Sequence, residues 1–307
     1  MNRIAYVFPG QGAQYVGMGK DFYDNFAECR ELFDSASELL KIDMRKLCFE
    51  ENDNLNMTEY TQAAMVLVCA AILLPINRQK PAFEVCAGLS LGEYTALIAS
   101  GVISFEDAIR VVRQRGILMQ NTVPKGVGGM AAILGLEGDV IREICENIAG
   151  SVSIANYNCP GQIVITGEIV ALNQAKMSCL EAGAKRALDL NVSGPFHSEL
   201  LKPAGEKLKE ILSEIKCKKP IIPYVSNVTA EYVESEDLVK ELLVKQIYSP
   251  VRWSQSVESM INQGITTFIE IGPGKTLSGF IKKINPSIQV INIDKVQDLD
   301  KIAEVFV

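Results

Sequence analysis

Histidine is almost absent from this sequence of 307 residues, which contains His197 and no other. A metal site built on several histidines is therefore excluded. The eight cysteines are scattered along the chain without a C-x-x-C pair, so a thiolate metal site is not expected either. Any reaction in this protein that depends on an imidazole base has to use His197.

The chain also lacks a dense block of lysine and arginine. Its net charge is −7 and its isoelectric point is near 5.1. Nucleic-acid binding is therefore not predicted. One short basic cluster, formed by Lys216, Lys218 and Lys219, could face an acidic partner, although a solvated surface is the simpler interpretation.

Long hydrophobic runs are missing as well. The longest, residues 63–76, is shorter than the about 20 residues that cross a bilayer, so we interpret it as a buried helix and expect no membrane segment. No signal-peptide pattern is present at the N-terminus. Cysteines inside apolar runs, such as Cys69 and Cys86, favour free core thiols in a reducing compartment. We therefore expect a soluble, cytoplasmic protein, and a monomer, although the sequence carries no direct signal of oligomeric state.

What the sequence does contain is the pattern G-x-S-x-G, from Gly88 to Gly92 around Ser90. Apolar residues on both sides predict a strand, a sharp turn and a helix. In such a nucleophile elbow the serine hydroxyl is exposed at a helix N-terminus, where developing negative charge is stabilised. A chain of this size shows the pattern by chance about once in ten cases, so an ordinary strand–helix turn stays an alternative.

The order of predicted elements indicates an α/β protein with an insertion. Residues 124–191 predict the order β-α-β-β-α-β, which is typical of a small ferredoxin-like subdomain. Residues 1–123 and 192–307 predict a large α/β-hydrolase-like domain with a mostly parallel sheet. A single helix is expected over residues 22–40.

Two glycine-containing loops do not match nucleotide-binding patterns. After the strand at residues 4–8, Tyr15 replaces the third glycine of a dinucleotide fingerprint. Near Gly274, Ile269 replaces the first glycine of a phosphate loop. A helix predicted over residues 105–120 carries three arginines; a solvated face explains any one of them, but arginine is also suited to bind a carboxylate through two hydrogen bonds.

Seven segments in one order resemble a known family, the malonyl-CoA:acyl-carrier-protein transacylases, which are relatives of polyketide-synthase acyltransferase domains. The segments are Phe8-Pro9-Gly10-Gln11-Gly12, Gly88-Leu89-Ser90-Leu91-Gly92-Glu93-Tyr94, Arg113-Gln114-Arg115-Gly116 with Met119-Gln120, residues 156–167, Pro195-Phe196-His197-Ser198, Tyr248-Ser249-Pro250-Val251-Arg252-Trp253 and Glu270-Ile271-Gly272-Pro273-Gly274. They extend over essentially the whole chain. The first and last lie close to its two ends, which favours a discrete enzyme over a module of a megasynthase.

The resemblance implies a transfer reaction and a role for each site residue. Ser90 would carry the malonyl group as an ester, and His197 would act as its base. The main-chain carbonyl of Gln246 would orient the imidazole, and the main-chain amides of Gln11 and Leu91 would form the oxyanion hole. Two further residues would contact the acyl group: Arg115 would pair with its free carboxylate, and Phe196 resembles the residue of malonyl-selecting members.

The resemblance also implies the substrates. Malonyl-CoA would be the donor, and the acceptor would be the phosphopantetheine thiol of an acyl-carrier protein in fatty-acid synthesis, with no metal and no resident cofactor. One departure is Leu89, where many members have a histidine that is not the catalytic base.

Three alternatives share some of these residues. A polyketide-type acyltransferase would use the same site. A serine hydrolase or thioesterase would also use Ser90 and His197, but the HGGG-type loop of esterases is absent and Arg115 would have no task. A scaffold that only binds the carrier protein would need a broken site, whereas every position that the family uses is filled.

Overall fold

The apolar runs of the sequence form two separate sheets with helices packed against them. The computed structural model describes residues 2–78 and 82–303. The strands in these ranges are β1 Ile4–Phe8, β2 Val85–Gly88, β3 Gly128–Leu134, β4 Val152–Cys159, β5 Gln162–Glu168, β6 Arg186–Asp189, β7 Tyr224–Val225, β8 Tyr232–Val233, β9 Thr267–Ile271 and β10 Gln289–Ile293. The helices are α1 Lys20–Asn25, α2 Ala27–Leu40, α3 Met44–Phe49, α4 Thr58–Arg78, α5 Gly92–Ala99, α6 Phe105–Asn121, α7 Gly138–Glu146, α8 Ile169–Glu181, α9 Lys202–Ser213, α10 Val239–Gln246, α11 Trp253–Asn262, α12 Thr276–Ile284 and α13 Asp300–Ala303.

The larger sheet has the strand order β10-β9-β1-β2-β7-β8. Its first five strands run parallel, and β8 pairs antiparallel with β7 at the edge. Strand β1 is buried at every position, as expected for a strand covered on both faces. Successive side chains of β1 point into two different cores, because strand side chains alternate between the faces of a sheet. The predicted mostly parallel sheet is confirmed.

The smaller sheet is antiparallel throughout and has the order β4-β5-β3-β6. Helices α7 and α8 pack against it and form a third core with its strands. The elements of residues 124–191 follow one another in the predicted order, β-α-β-β-α-β. A mixed α/β fold with a separate antiparallel sheet is therefore the architecture of this chain.

The single helix expected over residues 22–40 was wrong, because the chain breaks at Phe26. This residue is extended, with φ −124° and ψ 126°. The side chain of Asn25 donates to the main-chain carbonyl of Asp21, a local bond that competes with helix continuation. The guanidinium of Arg30 donates to the carbonyls of Tyr23 and Asp24, which the break leaves without helical partners.

The apolar run at residues 63–76 lies within a helix that is longer than the run itself. It is part of α4, which has 21 residues and is, among the described residues, long and apolar enough to cross a membrane by length and composition. However, 83% of its most apolar window is buried inside the fold. The prediction of a buried helix is therefore confirmed.

Candidate active site

The turn around Ser90 joins β2 to α5 and has a strained backbone. Ser90 has φ 50°, a left-handed conformation that residues with a side chain rarely adopt. A Cβ on Gly88 would lie 1.9 Å from the main-chain carbon of Gly92, and a Cβ on Gly92 would lie 2.1 Å from the carbonyl oxygen of Phe8. The two glycines of the motif are therefore required because backbone segments meet there without room for a side chain.

Asn227 holds this turn from the next strand of the sheet. Its Oδ1 accepts the main-chain N–H of Ser90 at 2.6 Å, and its Nδ2 donates to the carbonyl of Gly88 at 2.7 Å. Asn227 is fully buried just after β7. The sequence interpretation missed it; the available signal was a polar residue at the carboxyl end of a parallel strand, where α/β folds place their ligands.

His197 lies beside Ser90, and each of its two ring nitrogens forms a hydrogen bond with a different residue. Its Nε2 is 2.8 Å from Ser90 Oγ, and its Nδ1 is 2.7 Å from the main-chain carbonyl oxygen of Gln246. A carbonyl oxygen can only accept a hydrogen bond, so Nδ1 carries the proton in the neutral ring. Nε2 then has a free lone pair that accepts the Ser90 hydroxyl.

The imidazole is held in its neutral form. His197 is buried, and burial together with the nearby charge of Arg115 lowers its pKa to about 4, against the smaller opposing effect of its main-chain hydrogen bonds. At neutral pH the ring is therefore free to accept a proton from Ser90.

Arg115 brings a buried positive charge to the same serine. It is 1% exposed on α6, whereas Arg110 on the same helix is exposed. Its guanidinium donates to Ser90 Oγ at 3.2 Å and to the side-chain oxygens of Gln62 and Gln246 at 2.8 and 2.9 Å. Burial lowers the pKa of Arg115 below its ordinary value, which makes an anionic ligand energetically favourable there.

A cavity of about 220 Å³ opens in front of Ser90. Gln11, Leu91 and Phe196 line it, together with Ser90, Arg115 and His197. The smaller sheet contributes Met130, Asn156, Asn158 and Val164 to its walls. The structure thus brings every residue predicted for the site to this cavity except Gln246, which contacts His197, Arg115 and the Ser90 turn from behind.

The main-chain N–H of Ser90 is occupied by Asn227 and is not free for a substrate oxygen. The side chain of Gln11 donates to Thr58 Oγ1 at 3.1 Å, which fixes the loop after β1 beside the serine. Among residues 2–78 and 82–303, no three His, Cys, Asp or Glu side chains come together as metal ligands would.

A serine on a strand–helix turn, bonded to an imidazole and a guanidinium in an α/β fold, is suited to acyl-transfer chemistry. The comparisons with known proteins place the chain among the acyltransferases. The sequence model of the acyl transferase domain matches residues 5–295. The chain is 43% identical over 304 residues to the malonyl CoA-acyl carrier protein transacylase of Bacillus subtilis (strain 168), covering 98% of this chain and 96% of that protein.

Two solved structures are also similar over nearly their full length. A malonyl CoA-acyl carrier protein transacylase from Clostridium perfringens superposes with a TM-score of 0.95 at 46% identity, covering 99% of this chain and 97% of the other. A malonyl-transacylase in complex with its type II PKS acyl-carrier protein gives a TM-score of 0.95 at 40% identity, covering 98% and 99%. The chain belongs to the malonyl CoA-acyl carrier protein transacylase family.

Proposed function

We propose that this protein transfers the malonyl group from malonyl-CoA to the phosphopantetheine thiol of an acyl-carrier protein, supplying extension units for fatty-acid synthesis. The observation that carries the proposal is the buried guanidinium of Arg115, 3.2 Å from Ser90 Oγ. A cation in this position favours an acyl group that bears its own carboxylate. Once Ser90 is acylated, Arg115 would release the Ser90 oxygen and bind the free carboxylate of the malonyl group instead.

In the first half-reaction, Ser90 Oγ attacks the thioester carbonyl carbon while Nε2 of His197 takes the hydroxyl proton. The oxyanion that forms accepts hydrogen bonds from the main-chain amides of Leu91 and Gln11. Loss of one such donor typically slows a reaction by about 10²–10³. The carbon–sulfur bond then breaks, and His197 returns the proton to the leaving CoA thiolate.

The second half-reaction is the same chemistry in reverse. The phosphopantetheine thiol gives its proton to His197, its sulfur attacks the malonyl ester, and Ser90 leaves with the proton from Nε2. Gln246 keeps the imidazole oriented in both steps through its carbonyl. Phe196 forms part of the acyl wall. CoA and the carrier-bound arm act as substrates, so the reaction needs no resident cofactor.

The proposal extends to organisation and location. We take residues 1–123 and 192–307 as an α/β-hydrolase-like domain and residues 124–191 as a ferredoxin-like subdomain, for which the strand order β4-β5-β3-β6 is the support. We propose a cytoplasmic location because the described cysteines are free and seven of them are buried, as is typical of a reducing compartment. A monomer is also proposed.

The experiment is incubation of the protein with malonyl-CoA and a holo acyl-carrier protein, followed by intact-mass analysis. We expect malonyl-carrier and free CoA, and no transfer to the apo carrier that lacks the thiol. Free malonate at the rate of CoA release would instead identify a thioesterase.

A second candidate acceptor is a polyketide-type carrier protein, favoured by the similarity to the malonyl-transacylase solved with a type II PKS carrier. Fatty-acid and polyketide carriers compared at equal concentration would separate the two. The carrier with the higher kcat/KM identifies the pathway that this enzyme serves.

A further inference from the structure

Beneath the Ser90 turn lies a buried carboxylate that the proposed reaction does not use. Glu93, in the first turn of α5, is 0% exposed. Its Oε2 accepts the side-chain Nε2 of Gln246 at 2.7 Å and the main-chain N–H of Asn227 at 3.2 Å. Burial raises the pKa of Glu93 to about 7, although both hydrogen bonds and the charge of Arg115 oppose the shift. Burying a carboxylate is costly, so its partners are informative.

The side-chain amide of Gln246 connects this carboxylate to the reacting groups. While Nε2 donates to Glu93, Oε1 accepts from Nη2 of Arg115 at 2.9 Å. The same Nε2 also donates to the main-chain carbonyl of Ser90 at 3.0 Å. One amide thus lies between a buried anion and a buried cation and also contacts the Ser90 backbone.

We propose that Glu93 is a positioning residue, which acts through the Gln246 side chain to hold Arg115 and the Ser90 main chain in place for acyl transfer. The inference rests on the proposed function. An amide in its reversed orientation would point its NH₂ at the guanidinium. The ionised form of Glu93, which predominates above about pH 7, disfavours that orientation, because a carboxylate can only accept hydrogen bonds from the amide. Hydrogen bonds in such a chain also strengthen one another.

Glu93 also acts as a counter-charge for the guanidinium of Arg115. The guanidinium is buried, and the groups that accept its hydrogen bonds, on Gln62, Gln246 and Ser90, are neutral. When Glu93 is ionised, its negative charge compensates the guanidinium across the Gln246 amide until a substrate carboxylate arrives. A carboxylate with a purely structural role would have no such link to the substrate-binding arginine.

The test is Glu93→Gln in a double-mutant cycle with Arg115→Gln. Oε1 of Glu93 has no hydrogen-bond partner, so the new NH₂ can take that position and the two existing bonds can be kept. When Arg115 is present, we expect Glu93→Gln to lower kcat/KM for malonyl transfer about tenfold, an effect of the size typical of residues in one hydrogen-bond network. With Arg115 already replaced, the further loss should be less than about twofold.

Two outcomes would overturn the proposal: a Glu93→Gln enzyme within about twofold of wild type, or equal losses in both Arg115 backgrounds. Should Glu93→Gln not fold, Gln246→Ala takes its place, since it removes the amide and keeps the carbonyl that faces His197. It should show the same dependence on Arg115.

Glu270→Gln is the matched control. Glu270 is also a fully buried carboxylate, but it accepts from the main-chain amides of Leu277 and Ser278 and from the Ser278 hydroxyl, at the start of α12. Its replacement should lower stability, and its effect on transfer should be the same with and without Arg115.

The same cycle measured by denaturant unfolding separates this proposal from the proposed function. Replacing Glu93 and Arg115 together should destabilise the protein less than the sum of the two single changes. If the unfolding effects of the two changes are not additive but the wild type does not transfer malonyl groups, the link between Glu93 and Arg115 is supported and the proposed function is rejected. If the wild type transfers malonyl groups, the unfolding effects are additive and Glu93→Gln lowers kcat/KM equally in both Arg115 backgrounds, the function is supported and the role of Glu93 is rejected.

Discussion

Ser90 and His197 face each other at 2.8 Å from two left-handed backbone positions, with φ 50° and φ 59°. Such conformations are costly for residues with a side chain and persist only where the surroundings fix them. Asn227 binds the main-chain N–H of Ser90, and the carbonyl of Ile247 accepts the main-chain N–H of His197 at 3.2 Å. The fold therefore tolerates two strained backbone positions, which bring residues 107 positions apart into hydrogen-bonding contact.

Replacing the proposed nucleophile tests the covalent intermediate. Ser90→Ala should abolish the malonyl-enzyme that intact-mass analysis detects after mixing with malonyl-CoA. Transfer should fall more than about a thousandfold, because no other group can carry the acyl chain. Ser256→Ala is the control, since Ser256 is buried but bonds only to the carbonyl of Arg252. An unchanged transfer rate in Ser90→Ala would remove this residue from the mechanism.

Removing the cation tests substrate selection. Arg115→Ala should reduce kcat/KM for malonyl transfer by about a hundredfold, the usual scale for losing a buried charge pair. Acetyl transfer should suffer much less, because an acetyl group has no carboxylate. Steady-state kinetics with both CoA esters measure the difference.

Arg113→Ala is the matched control for that experiment. Arg113 lies on the same helix, pairs with Glu59 at 2.7 Å and lies over the ring of Tyr60. It should change both transfers alike and only slightly. Equal losses for malonyl and acetyl in Arg115→Ala would mean that Arg115 has only a structural role.

The low pKa of His197 predicts how acylation depends on pH. The imidazole must be neutral to act as a base, and its pKa is about 4 because of burial and the charge of Arg115. Single-turnover acylation of Ser90 in the Glu93→Gln enzyme, which lacks the carboxyl group that titrates near pH 7, should therefore be as fast at pH 5.5 as at pH 7. A rate that falls around pH 6.5 would show that the imidazole titrates like an exposed histidine.

The same shift predicts a pH dependence of stability. The folded pKa is lowered, so the unfolded chain binds the proton more readily between pH 4 and pH 6.5. The contribution of neutral His197 is thus complete above pH 6.5 and is lost as the pH falls towards 4, by about 3 kcal/mol in total. The difference in unfolding free energy between wild type and His197→Gln should rise with pH across this window. A flat difference would contradict the prediction.

The elbow glycines predict a steric effect. Gly88→Ala places a Cβ 1.9 Å from the main chain at Gly92, which a backbone shift must relieve at a cost of at least about 1–3 kcal/mol. We expect a lower melting temperature and strongly reduced acylation. Gly279→Ala is the control, because a Cβ at this helical position meets nothing within 4 Å and should raise stability slightly.

Asn227 predicts a positioning effect. Asn227→Ala removes both bonds to the turn and leaves the Ser90 N–H and the Gly88 carbonyl without their partner. Acylation should slow by about tenfold or more, since each unsatisfied buried group costs about 1–3 kcal/mol. Asn285→Ala, which removes hydrogen bonds in the exposed turn to Ser287, should leave acylation unchanged. Normal acylation in Asn227→Ala would show that the glycines alone fix the turn.

Much of the fold followed from local pattern. The order of predicted elements indicated a mostly parallel sheet in the large domain and the order β-α-β-β-α-β over residues 124–191, and the structure has both. The break in the helix at Phe26 could not be predicted from local sequence pattern. It depends on Arg30 reaching back to free carbonyls, a contact that hydrophobic periodicity does not encode.

For the site, the sequence alone pointed to Ser90 by its flanking glycines and to His197 because no other imidazole exists. The family motifs added Arg115. Only the tertiary structure revealed Glu93, Gln62 and Asn227 as their supports. Asn227 is 137 positions from Ser90, and buried amides and carboxylates follow no periodicity along a chain. Asn227 reaches the site because it follows a parallel strand, and Gln62 and Glu93 reach it because α4 and α5 pack beside the Ser90 turn; a linear sequence displays neither arrangement.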